Sequence, residues 1–127
     1  IAYVLDSSIY AEIPAAKAFE ILSYELQNFD AKLSGKAGCI IISKTDMADE
    51  QDGVGPIQEA LKQYNLPIHP ISSLTGQGIQ QLKRDLYLMV EEAKNQVAET
   101  TEIPNTTTEA KASASYQKYN EANPLPL

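Results

Sequence analysis

Residues 39–49 read CIIISKTDMAD, and this stretch decides the fold. Cys39, Ile40, Ile41 and Ile42 form an apolar, largely β-branched run without polar alternation, the pattern of a strand covered on both faces. The run ends abruptly in Ser43, Lys44, Thr45 and Asp46, so a buried strand opens directly into a polar loop. In an open parallel sheet that is where ligands bind, because the loops beyond the carboxyl ends of the strands diverge and leave a crevice.

Two further runs behave in the same way. Residues 1–5 (IAYVL) end at Asp6, Ser7 and Ser8, and residues 68–71 (IHPI) end at Ser72, Ser73, Leu74, Thr75 and Gly76. Between them lie helical spacings. After Pro14, Phe19, Leu22, Leu26, Phe29 and Leu33 recur at steps of three and four, which predicts one amphipathic helix. Pro56 opens a shorter one with Ile57, Leu61 and Tyr64 on one side, stopped by Asn65 and Pro67. Ile79, Leu82, Leu86, Met89 and Ala93 keep helical spacing to about residue 94. Strand, helix, strand, helix, strand, helix predicts an α/β fold of three layers, a parallel sheet with helices on both faces. The compact part spans residues 1–94; residues 95–127 turn to Thr, Glu, Ala, Asn, Ser and Pro and read as a disordered polar tail.

The 127 residues fit one small domain, and the chain begins at Ile1 inside an apolar run without an initiator methionine, so it reads as part of a longer protein. Ten basic against 17 acidic side chains leave a net charge of −7, which argues against a nonspecific grip on nucleic acid or an anionic membrane. No apolar stretch has the length of a membrane span. The single cysteine, Cys39, suits a reducing compartment and reads as a small buried apolar residue. The expected setting is cytoplasmic, or an organelle matrix or stroma.

The chemistry collects at the three strand ends. A carboxylate at Asp46 can accept two parallel hydrogen bonds, from a ring N–H and from the exocyclic amine beside it. Guanine offers that pair on one edge, whereas adenine offers neither. Lys44 is expected in extended backbone at the mouth of the strand, its aliphatic stem along a planar base and its ammonium in water. Ser72, Ser73 and Leu74 approach from the next strand, where a backbone N–H can donate to the guanine carbonyl.

SKTD after one strand and ISSLTGQGI after the next resemble the N-K-x-D and S-A guanine-recognition elements of P-loop GTPases. With Glu25 and Leu26 in the long helix, AGCIIISKTDMAD (37–49) and LPIHPISSLTGQGIQQL (66–82), the order of elements is similar to the second, distal half of the G domain of the Obg family of ribosome-associated GTPases. A tetrad alone turns up in roughly one average chain in twenty of this length, so the second element in order carries the resemblance. It implies binding of GTP and GDP, with Asp46 specifying guanine, Lys44 covering the base, Ser43 at the head of the base loop, and Ser72, Ser73 and Leu74 along the carbonyl edge. It also implies a role in ribosome assembly and a ribosomal partner. Two positions depart from the family pattern: Ser43 stands where Asn ties the base loop to the phosphate loop, and Ser73 replaces Ala.

The chain has no G-x-x-x-x-G-K-[ST], so the phosphate cradle and the Mg²⁺-binding hydroxyl are expected only in residues outside it, and GTP hydrolysis is not expected of this segment. The alternative is a non-catalytic α/β binding module, either a degenerate G domain or a receiver-like domain in which Asp6 takes a phosphoryl group beside Lys44. Asp6 otherwise reads as a carboxylate bonding its own loop, and His69 as a packed or edge histidine. Gly76, Gln77 and Gly78 read as the turn into the last helix.

Overall fold

The computed structural model of the chain describes residues 1–51 and 53–100. Strands β1 (Ala2–Asp6), β2 (Cys39–Ser43) and β3 (Ile68–Pro70) form a parallel sheet in the order β1-β2-β3. The connections carry helices α1 (Ala15–Phe29), α2 (Ala31–Ser34) and α3 (Val54–Leu61), and α4 (Ile79–Thr100) follows β3. The chain divides into two units, Ile1–Leu82 and Lys83–Leu127, and the described part of the second is the remainder of α4.

Register explains the core. Tyr3 lies opposite Ile40, Leu5 opposite Ile42, and Ile40 opposite Ile68, so all five side chains share one face of the sheet. Phe19 and Ala15 of α1 and Leu61 of α3 pack on that face, with the Tyr3 and Phe19 rings edge to face at 4.9 Å. Ile40, Ile42 and Leu61 are wholly buried, and each such side chain stabilises the fold by roughly 1.5–3 kcal/mol relative to exposure. On the opposite face Cys39, Ile41 and His69 are buried, so β2 is covered on both sides as its apolar run predicts.

Three expectations change. The run IAYVL reads as uniformly buried, yet Tyr3 and Leu5 point inward while Val4, on the other face of β1, is 58% exposed, because that face is not covered there among the described residues. The first helix does not run on to Leu33. Asp30 has extended backbone, φ −158° and ψ 108°, and its carboxylate accepts the Lys32 N–H at 2.8 Å, so it closes α1 and caps α2. Phe29 is left 82% exposed, and Leu22 is exposed as well. Finally, α4 crosses the boundary expected at residue 94 and continues to Thr100. Asn95 to Thr100 contains no Gly or Pro, and a polar composition does not by itself end a helix already propagating. The tail expected to be disordered otherwise lies in 101–127, outside the described residues.

The outer edge of β1 has no strand partner among the described residues, and Val4 on β1 and Leu22, Tyr24 and Phe29 on α1 leave apolar surface exposed. The isolated chain should therefore be marginally stable and prone to self-association, giving a broad, low-temperature transition whose midpoint depends on protein concentration. A sharp, concentration-independent transition at high temperature in a calorimetric scan would contradict this.

Candidate functional site

The parallel register brings Asp6 opposite Ser43 and Ile42 opposite Pro70, so the three polar segments leave the sheet side by side. They are then laced together. The Ser7 N–H and hydroxyl both donate to the Ser43 carbonyl, at 3.1 and 2.7 Å, and the Ser43 hydroxyl donates back to the Leu5 carbonyl at 2.9 Å. The Ile9 N–H reaches Met47 O at 3.0 Å, and the Thr45 N–H reaches Ile71 O at 3.2 Å. Ser43, which stands where the resemblance leads one to expect Asn, thus spends its hydroxyl within the sheet end.

Lys44 departs from the expected extended geometry. Its backbone is left-handed, φ 59° and ψ 38°, and the chain turns there into a short 3₁₀ segment, Thr45–Met47, that carries Asp46. For a non-glycine residue this conformation costs roughly 1–2 kcal/mol, so the surrounding hydrogen bonds must hold it. The Lys44 ammonium donates to Asp6 Oδ2 at 2.6 Å, while Asp6 Oδ1 accepts the Ser8 N–H at 2.8 Å. Asp6 therefore does bond its own loop, and it also pairs directly with a residue 38 positions away, which the receiver-like alternative set beside it only around a phosphoryl group.

The Lys44 ammonium, with help from the Ser8 N–H and hydroxyl, pulls the Asp6 carboxyl down to about 2 from its ordinary 3.8. A folded-state value below the unfolded one adds stability that is fully present above about pH 4 and is lost as pH falls toward 2. The pair is partly exposed and solvent-screened, so the effect is small. The stability difference between the unmodified chain and Asp6→Asn, read from urea midpoints, should stay constant from neutral pH to about 4 and shrink below it. A difference that disappears near pH 6 would contradict this assignment.

Asp46 faces the third segment. The Ser72 hydroxyl donates to Asp46 Oδ1 at 2.5 Å and accepts the Thr75 N–H at 3.1 Å. Ser72 is wholly buried, and its backbone closes the loop through Ser72 N–H to Gln77 O at 2.9 Å and Gly76 N–H to Ser72 O at 2.8 Å. Gly76 and Gly78 take φ of 81° and 76°, which lets so short a loop return to α4. Among the described residues, Asp46 Oδ2 and the N–H groups of Ser73 and Leu74 have no hydrogen-bond partner, and Ser73 and Leu74 stand exposed at the loop tip. One carboxylate oxygen is thus anchored and the other is open, next to a loop with two open donors.

No described helix is long and apolar enough to cross a membrane. Among the described residues no group of three His, Cys, Asp or Glu is placed to hold a metal ion.

No protein-family model matches the chain. Curated relatives do. The chain is 28% identical over 95 residues to the GTPase Obg of Aquifex aeolicus, covering 75% of this chain and 28% of that protein. It is 31% identical over 87 residues to the GTPase Obg of Lactobacillus helveticus, covering 67% and 20%, and 34% identical over 83 residues to that of Solibacter usitatus, covering 65% and 25%. The chain therefore spans between a fifth and three tenths of the length of these relatives. The agreement of several such relatives with a parallel sheet whose polar strand ends converge as in a G domain shows that this chain belongs to the Obg family of GTPases.

Proposed function

We propose that this chain is the guanine-recognition side of a GTP- and GDP-binding domain. The observation that carries this reading is the clasp between Asp46 and Ser72. It fixes one carboxylate oxygen and leaves Oδ2 free to accept N–H groups, one residue before the open N–H groups of Ser73 and Leu74. Asp46 takes the guanine N1–H and 2-amine, Lys44 covers the base face with its stem, and the N–H of Ser73 or Leu74 donates to the carbonyl at position 6. Ser43 holds the base loop to β1, and its hydroxyl already serves Leu5.

The phosphate loop, the switch regions and the Mg²⁺ ligands belong in this reading to sequence outside the chain, consistent with relatives several times longer. When bound, Mg²⁺ would neutralise charge on the β- and γ-phosphates. The complete protein would hydrolyse GTP and act on the ribosome in the cytoplasm, or in an organelle matrix or stroma.

Guanosine and inosine test the reading directly, since inosine lacks only the 2-amine. A carboxylate built to accept that amine should bind inosine at least about tenfold more weakly in ligand-observed NMR titrations of the chain. Equal affinities would overturn the role given to Asp46. The receiver-like alternative draws on the Asp6–Lys44 ion pair and would instead appear as phosphorylation of Asp6 by acetyl phosphate.

A further inference from the structure

We infer that Asp6 is a positioning residue for base binding, holding the Lys44 side chain in place before a ligand arrives; the inference rests on the base site proposed above. Four observations carry it. Both oxygens of the carboxylate are engaged, Oδ1 by the Ser8 N–H and Oδ2 by the Lys44 ammonium, so Asp6 is fixed on both sides. The two loops that meet in this ion pair are clamped independently of it, by Ser7 and Ser43 on one side and by Ile9 and Met47 on the other. Lys44 leaves β2 through a left-handed backbone conformation, which turns its side chain away from the alternation of the strand. The pair is also too exposed to add much to stability, so its consequence is geometric.

A lysine stem that must lie along a base loses rotamer freedom when the base binds, and a stem already ordered loses less. Lys44 does not touch the edge of guanine that Asp46 reads. Loss of Asp6 should therefore weaken all planar purine nucleosides by a similar factor and leave the choice among them unchanged. Asp46 sets which base is bound, and Asp6 sets how well any of them is held.

The test uses the chain with Asp6→Asn, Lys44→Met and the double variant, titrated with guanosine and with xanthosine. Asn at position 6 keeps an oxygen to accept the Ser8 N–H, so the turn after β1 is retained while the ion pair is lost. Asp6→Asn is expected to weaken both nucleosides by about three- to tenfold, with their ratio unchanged, and to have no further effect once Lys44 is Met. Guanosine binding that Asp6→Asn leaves intact overturns the inference, as does an equal loss in the Lys44→Met background, which would show a purely structural role. Absence of any guanosine binding by the unmodified chain overturns the base-site reading and this inference with it. The unmodified, ligand-free chain supplies a check that needs no variant. Its Lys44 ammonium should give a slowly exchanging, hydrogen-bonded ¹⁵Nζ signal, and a signal as freely exchanging as that of a fully solvated lysine overturns the inference on its own.

Discussion

Asp46→Asn is expected to lower guanosine affinity on the order of 10- to 100-fold and to turn the site toward xanthosine. The Ser72 hydroxyl sets the direction. It donates to Oδ1 of Asp46, and in the variant only the amide oxygen can accept that bond, so the amide nitrogen is placed where Oδ2 stood. An N–H then faces the N–H groups of guanine, leaving donors opposed to donors. Xanthine carries a carbonyl where guanine carries the 2-amine and can accept from the new amide. Competition between the two nucleosides on the chain, followed by ligand-observed NMR, reads the ratio. An unchanged preference for guanosine would mean that Asp46 does not contact this edge.

The second large effect concerns backbone geometry in the loop that holds Ser72. Gly76 and Gly78 both have positive φ, yet their surroundings differ. A Cβ at Gly76 would meet open space, whereas at Gly78 it would lie 2.2 Å from the Pro70 carbonyl oxygen and 3.3 Å from Ile71 Cγ2. Gly76→Ala should therefore cost only the left-handed penalty, about 1 kcal/mol. Gly78→Ala adds a clash with backbone that cannot swing aside, and about 3 kcal/mol or more is expected. It should also loosen Ser72, whose N–H is tied to Gln77 next to the displaced residue, and with it the hold on Asp46. Urea denaturation of the two variants checks the contrast, and equal losses would contradict the packing described around Gly78.

Much of this architecture was legible because β2 is so plainly patterned. Four consecutive apolar, largely β-branched residues ending in a polar loop match a doubly covered strand, and all four are buried. The same reasoning misjudged β1, because an apolar run does not say whether a second layer covers its other face; Val4 shows that it does not. Helical spacing placed Phe19 and Leu26 against the sheet but carried on through Asp30, where a local side-chain-to-backbone hydrogen bond outweighs the pattern. At the candidate site, Asp46 and Ser72 are singled out by their resemblance to known guanine-recognition elements. The link between them spans 26 residues and is visible only in the folded chain. The receiver-like alternative set Asp6 and Lys44 side by side, but their direct ion pair depends on strand register and on a left-handed turn at Lys44 that no local signal announces. Lysine rarely adopts that conformation, and the most strained residue of the site was the one the sequence described least well.

The most direct test of the account is a ¹H–¹⁵N NMR titration of the chain with GMP, set against AMP under the same conditions. GMP is expected to shift the backbone signals of Lys44 to Met47 and Ser72 to Thr75 while those of β3 and α3 stay in place, and AMP to produce little change at the same concentration. Equal responses to the two nucleotides, or shifts confined to residues away from these two loops, would contradict a guanine site at the ends of β2 and β3.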